Sequence, residues 1–306
     1  MERQRMIPNV TIVTCYKAGT ANILSTWCAS ILRHTKSEAN LKTVVLVKQG
    51  DIDAGLCETN SKYLGLINCV VEVPIGDDSV STSRVHGLML DSFIPRRVDT
   101  EYVITMDSDC FPVADGWLSG MIDLIGKGYR VAGILHPWAP PPADMKHSKI
   151  EWRVRSQHCW ENTHVACQLI KTADLVELNA KFAEGDDTGL LIPLKAKTRQ
   201  WGIAGYKVTR CPKPAKGKID PEFNRYVGLV YGDKVFHLGG FTRIMLGDEQ
   251  MFGNEFGWVT ERVLKEQGAE FLLDDACSYK FKFDKEEAVA AEKMQRLFGL
   301  RNQRME

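Results

Sequence analysis

The segment Glu101-Tyr-Val-Ile-Thr-Met106 runs straight into Asp107-Ser108-Asp109, and this junction constrains the chain more than any other stretch. The apolar and β-branched run predicts a buried strand. Two carboxylates one residue apart at the end of such a strand cannot both leave water cheaply unless a cation or hydrogen-bond donors compensate. Hard oxygen donors suit Mg or Mn. Aspartates in this spacing also serve as turn or helix-cap residues, because their side chains bond local backbone. The preceding strand, the following Phe111-Pro112 and the Asp115-Gly-Trp-Leu118 stretch favour the metal.

Upstream, the chain alternates in the way a covered parallel sheet requires. Asn9–Cys15, Lys42–Lys48 and Val70–Pro74 read as strands, and Ala21–Arg33 and Arg84–Phe93 as helices. Strand-helix repetition predicts an α/β fold with a mostly parallel central sheet flanked by helices. In such sheets the ligand lies beyond the carboxyl ends of the strands, where Asp107 and Asp109 stand. Gly128–Ile134 reads as a further strand and Pro137–Pro142 as a rigid turn into a less regular second half.

That second half holds a Trp- and His-rich stretch from Trp152 to His164, a helix over Lys171–Leu178, a loop around Gly185–Gly189 and a helical segment to Arg199. Strands near Tyr206–Arg210 and Lys234–Leu238 and a charged helix over Lys285–Phe298 follow. With no repeat and no long linker, residues 1–282 read as a single domain, its nucleotide-binding half at about 8–120 and its acceptor half at about 150–282; residues 283–306 form the terminal helix.

The bulk numbers exclude some partners. Lys and Arg total 39 and Asp and Glu total 39, so no net field draws the chain to nucleic acid or an anionic membrane. The start moves from charged residues into a strand without a signal-peptide pattern, and no apolar run approaches a membrane span. Nine cysteines scattered without a Cys-x-x-Cys pair argue for buried free thiols, and cytoplasmic location is the expectation.

The stretch Ser83-Arg84-Val-His86-Gly87-Leu-Met-Leu-Asp91, followed by the strand ending in Asp107-Ser108-Asp109, resembles the GT-A glycosyltransferases, in particular the broad family 2-like group. There a helix bearing an Arg-x-Asn-x-Gly or related signature precedes a strand ending in Asp-x-Asp; here His86 stands where Asn is usual. The resemblance implies a divalent metal, Mn or Mg, and a nucleotide-sugar donor, with a UDP-sugar the leading choice. It puts Arg84 and His86 near the diphosphate or sugar and Ser108 with the acids. It also sets Thr14, Cys15, Tyr16 and the Gln49-Gly50-Asp51 loop beside the base and ribose. By themselves Arg84 reads equally as a solvated helix-end cation, His86 as a satisfied imidazole and Asp51 as a turn residue.

The family habit of completing the coordination with a distant histidine points to His237 in Val235-Phe-His237-Leu-Gly-Gly240, although a buried strand histidine is the plain alternative. An inverting transfer needs a general base. Asp187 in the Gly185–Gly189 loop is the first choice, with Asp248 and Glu249 as rivals that also fit a helix cap. Trp152, His158, Trp160, Glu161 and His164 suit either a sugar pocket or ordinary core. From Lys195 to Lys218 there are eight cations and no acid, which reads equally as a solvated loop or as a phosphate stripe. The stripe favours an anionic acceptor: a glycan, a lipid-linked precursor or a hydroxymethylated DNA base.

Two other readings compete. A nucleotidyltransferase making nucleotide sugars needs a glycine-rich phosphate loop, for which Tyr16-Lys17-Ala-Gly19 is poor. A degenerate nucleotide- or glycan-binding protein has no need of intact Asp107, Asp109 and His237.

Overall fold

The computed structural model describes residues 7–35, 38–76, 82–135, 162–184, 188–210 and 229–237. Its main sheet is built from β1 (Asn9–Tyr16), β2 (Asn40–Lys48), β3 (Ile67–Val73), β4 (Tyr102–Met106), β6 (Val131–Leu135), β7 (Thr163–Lys171) and β8 (Ile203–Tyr206). The order is β3-β2-β1-β4-β7-β6-β8. β1, β2, β3 and β4 are mutually parallel, β6 is parallel to β8, and β7 runs antiparallel to both β4 and β6.

The period of two along each strand sends side chains alternately to two cores. In β1, Val10, Ile12 and Tyr16 enter one and Val13 the other; in β2, Val45 and Val47 enter the first and Val44 and Leu46 the second. Helices α1 (Ala21–His34), α2 (Ala54–Lys62) and α4 (Trp117–Gly126) carry Trp27, Leu56 and Trp117 into the first core. α3 (Thr82–Arg97), α5 (Thr172–Leu178) and α6 (Leu191–Thr198) carry Leu90, Leu175 and Ile192 into the second. Full burial of each such aliphatic side chain contributes about 1.5–3 kcal/mol, so a polar residue at Val44 or Val45 would break one whole face.

A second sheet is wholly antiparallel. It comprises β5 (Cys110–Pro112), β9 (Val208–Arg210), β10 (Leu229–Tyr231) and β11 (Val235–His237), in the order β5-β11-β10-β9. The strand expected over Tyr206–Arg210 is therefore two strands in two sheets, parting at Lys207.

The mostly parallel, helix-covered sheet is as the strand-helix alternation predicts. β7 carries no alternation by which to recognise it, because every residue from Val165 to Ile170 is buried. α3 outruns the expected Arg84–Phe93, carrying Pro95 inside its C-terminal end. Cys28, Cys110 and Cys167 are buried free thiols as expected, but Cys57 is exposed on α2. Among the described residues no helix is long and apolar enough to cross a membrane. The proline turn at 137–142 and the terminal helix at 285–298 lie outside the described residues.

Candidate functional site

β4 ends at Met106, and the chain turns at once. Asp107 N–H still donates to Ala166 on β7 (3.0 Å), while Asp107 C=O accepts from Cys110 N–H (2.9 Å) and closes a turn over Asp107–Cys110. The turn feeds directly into β5, whose ladder with β11 sets Cys110 opposite His237. A residue far along the chain is thereby delivered beside Asp109 by strand register.

One ligand atom from each of Asp107, Asp109 and His237 lies within 4.8 Å of the others. His237 Nε2 is 3.6 Å from Asp109 Oδ1, and His86 Nε2 is 3.6 Å from Asp107 Oδ1. Asp109 and His237 are buried, at 6% and 9% exposure, and Asp107 is half-buried. Two carboxylates converging in so dry a place repel each other and lose hydration, a cost that a cation between them removes. Burial pushes the His237 pKa down to about 4, so its imidazole is neutral and offers a lone pair. Two carboxylate oxygens with one imidazole nitrogen form a donor set that fits Mn or Mg.

α3 brings the next residues. Arg84 is exposed in its first turn, and His86 stands two residues on, against Asp107. The same helix is stitched to the 182–189 segment. Phe182 and Ala183 N–H donate to the Asp91 carboxylate (2.7 and 3.0 Å), and Thr188 N–H donates to Ser83 Oγ (3.0 Å). Gly189 N–H closes back on Phe182 C=O (2.8 Å). Gly87 permits this approach, since a Cβ there would lie 2.6 Å from Ala183 Cα and 2.7 Å from Phe182 O. Burial raises the Asp91 pKa although both backbone donors pull it down.

The strand-end residues expected near the base are placed as follows. Thr14 is fully buried, and its hydroxyl has no hydrogen-bond partner among the described residues. Tyr16 packs in the core and donates its hydroxyl to both Asp53 oxygens, each at 2.8 Å. That phenol is therefore spent inside the protein, and burial followed by the Asp53 contact raises its pKa. Asp51 turns the chain through its N–H to Lys48 C=O and pairs with Lys17 at 3.0 Å. Ser108 is buried between the two acids.

Sequence reasoning overlooked Asp53, which caps α2 through Leu56 N–H and also accepts from Gly19 N–H, both at 2.8 Å. Its position just before Ala54-Gly-Leu56 is an N-cap signal that was there to be read. Partial burial raises the Asp53 pKa, but the Gly19, Leu56 and Tyr16 donors outweigh it and hold the carboxyl below its ordinary range.

The candidate bases Asp187, Asp248 and Glu249 lie outside the described residues, as do Trp152, His158, Trp160 and Glu161. His164 is described, its ring 5.3 Å from that of His237. In the basic stretch, Lys195 pairs with Glu184 (3.3 Å) and Arg199 with Glu177 (3.6 Å). Arg199 also lies over Trp201, which Arg130 covers as well. Those two cations are thus already engaged within the fold, and Lys213, Lys216 and Lys218 lie outside the described residues.

No family model and no curated protein matches the sequence. Among solved structures, the chain is similar to the mannosyltransferase PcManGT from Pyrobaculum calidifontis in complex with GDP-Man and Mn2+, with a TM-score of 0.50 and 13% identity. That match covers 72% of this chain and 61% of the mannosyltransferase, so the chain spans less than two thirds of that protein. It is also similar to TarS from S. aureus, with a TM-score of 0.41, 15% identity, and 61% and 55% of the two chains covered. At such identity the likeness to the mannosyltransferase gives the fold, a GT-A-like α/β fold.

Proposed function

We propose that the chain is a metal-dependent glycosyltransferase that moves a sugar from a nucleoside-diphosphate donor to an acceptor hydroxyl. The observation that carries the proposal is the convergence of Asp107, Asp109 and His237 within 4.8 Å at the carboxyl edge of a GT-A-like sheet. In such sheets that edge is where ligands bind. Asp107, Asp109 and His237 would hold Mn or Mg, which when bound neutralises charge on the departing diphosphate.

His86 on α3 borders the cluster, 3.6 Å from Asp107 Oδ1; it and Arg84, two residues before it on the same helix, are assigned to the diphosphate and sugar, and Asp51, Thr14 and Ser108 to the nucleotide side. In the transfer the acceptor oxygen bonds the anomeric carbon as the bond to the diphosphate breaks, and the nucleoside diphosphate leaves with the electron pair. The acceptor proton passes to a carboxylate base, for which Asp187 is the assignment and Asp248 or Glu249 the alternatives; the outcome is inversion. Asp187 is favoured by its place in the Gly185-Asp-Asp-Thr-Gly189 stretch of the sequence, 78 residues after Asp109. The acceptor class stays an anionic one, a glycan or lipid-linked precursor or a modified DNA base, and the compartment the cytoplasm.

The test is to incubate the protein with UDP-, GDP- and TDP-sugars and Mn2+ or Mg2+, and to measure nucleoside diphosphate release with and without EDTA. Metal-dependent release from one donor, lost in Asp109→Ala, is expected; the GDP-Man bound to the mannosyltransferase places GDP-mannose beside UDP-sugars in the panel. Pyrophosphate release from a nucleoside triphosphate and sugar phosphate would replace the transferase by a nucleotidyltransferase. Donor binding without turnover would leave a binding protein.

A further inference from the structure

β1 and β2 run parallel to β4, so the loops that follow them open at the same edge as Asp107. β2 lies two strand spacings, about 10 Å, from β4. Lys17 follows β1 and Asp51 follows β2, and their side chains meet there, Nζ 3.0 Å from Oδ2. Each is fixed from behind. Asp51 N–H donates to Lys48 C=O (2.9 Å) and closes a turn whose third residue, Gly50, has φ +87°, the left-handed backbone that glycine supplies. Gln49 N–H and Gly50 N–H bond to β3, at Val73 C=O (2.9 Å) and the Glu72 carboxylate (3.4 Å). Thr20 donates its N–H and its hydroxyl to Lys17 C=O (3.1 and 2.7 Å). Asp53 then clamps the two loops together by accepting from Tyr16 and from Gly19 N–H.

The loops are therefore joined without Lys17 and Asp51, and a part-exposed ion pair adds little stability of its own. The two side chains are 41% and 19% exposed, and among the described residues the 3.0 Å contact is the one side-chain hydrogen bond either makes. That leaves Asp51 Oδ1, the second lone pair of Oδ2 and two ammonium protons of Lys17 for a ligand. Resting on the transferase reading, which puts the nucleoside at this edge, we infer that Lys17 and Asp51 select guanine as the base of the donor. The outer edge of guanine carries the O6 acceptor beside two donors, N1–H and N2–H. One carboxylate accepts from both donors at once, and the ammonium beside it meets O6. Uracil and thymine offer a single N3–H between two carbonyl oxygens, so one carboxylate oxygen is turned against a carbonyl. Adenine and cytosine present a ring-nitrogen lone pair to the carboxylate. The ion pair thus replaces the UDP-sugar that the family resemblance favours.

The test is calorimetry of GDP, UDP, inosine diphosphate and xanthosine diphosphate with Mn2+, on wild type, Asp51→Asn and Lys17→Met. The wild type is expected to bind GDP tightest. Inosine diphosphate lacks the N2 amino group and UDP the second N–H, and a lost bond to a charged group corresponds to roughly tenfold or more. Asp51→Asn sets an amide N–H2 where an oxygen was, so it should lose about that factor for GDP and gain xanthosine diphosphate, whose O2 carbonyl stands in place of the amino group. Lys17→Met should weaken GDP and inosine diphosphate by similar factors, since both keep O6. Mn2+ affinity without nucleotide should be the same in all three proteins, and the wild-type comparison requires no variant to fold. UDP or inosine diphosphate binding the wild type as tightly as GDP, or an Asp51→Asn protein with native Mn2+ affinity and no shift toward xanthosine diphosphate, overturns the inference and leaves the transferase reading standing. If no nucleoside diphosphate binds the wild type, the transferase reading itself fails and takes this one with it.

Discussion

Replacing Gly87 by alanine tests the packing that ties α3 to the 182–189 segment. The new methyl would lie 2.6 Å from Ala183 Cα and 2.7 Å from both Ala183 N and Phe182 O, all main-chain atoms that cannot swing aside. Overpacking of this kind costs about 1–3 kcal/mol. Alanine returns about 0.5–1 kcal/mol of helix stability relative to glycine, leaving a net loss of roughly 1–2 kcal/mol. For a chain of 306 residues that is a fall in Tm of roughly 2–3 °C. Moving the segment would also stretch the Asp91 bonds to Phe182 and Ala183, so donor turnover falls further than stability requires. Differential scanning calorimetry of Gly87→Ala beside Gly126→Ala is the assay, since a methyl at Gly126, also helical, meets nothing within 4 Å. Gly126→Ala is expected to be neutral or to gain up to about 1 kcal/mol. Because the Gly87 clash is with backbone, adding Ala183→Gly should not rescue it. A Gly87→Ala protein as stable as wild type, or rescued by Ala183→Gly, would refute the packing argument.

Other perturbations follow from the same geometry. Asp53 has a depressed pKa in the fold, so its contribution is present above the ordinary carboxylate pKa and is lost as pH falls through the folded value. Urea midpoints of wild type and Asp53→Asn should therefore differ at pH 7 and converge at pH values below about 4. Arg130→Ala leaves the buried Asp174 carboxylate without its 2.5 Å partner and strips one cation from Trp201. Because Arg130 is itself half-exposed, a loss of about 1–2 kcal/mol is expected in chemical denaturation. Mn2+ at a hundred times its Kd should stabilise the wild type by about 2.7 kcal/mol, read as a thermal shift, and His237→Ala should abolish most of that shift.

How much of this was legible beforehand depended on how local each signal was. β1, β2 and β4 carry dense apolar runs between turn residues, and Asp107 and Asp109 follow one of them directly, so the sheet and its two acids could be read from neighbours in sequence. The contact between His237 and Asp109 was signalled only by the family resemblance, because it depends on the β5–β11 ladder, a pairing of three-residue strands that no periodicity announces. β7 was hidden for a related reason, since burial of every residue from Val165 to Ile170 makes it read as featureless apolar chain. Legibility follows the range of the interactions, apolar runs being plain and long-range register not, while the Asp53 cap of α2 was a local signal left unused. Tyr16 shows a subtler limit, since its place at a strand end was plain but the use of its hydroxyl by Asp53 required the fold.

If Asp107, Asp109 and His237 hold a cation against a nucleoside diphosphate, metal and nucleotide must bind cooperatively. Calorimetric titration of UDP and GDP into the protein, with Mn2+ and with EDTA, tests it most directly, because coupling between the two ligands must be reciprocal. One diphosphate is expected to bind tightly only with Mn2+, to tighten Mn2+ binding by the same factor, and to lose that dependence in Asp109→Ala. Diphosphate binding of equal strength in Mn2+ and in EDTA, or Mn2+-dependent binding that survives Asp109→Ala, would contradict it.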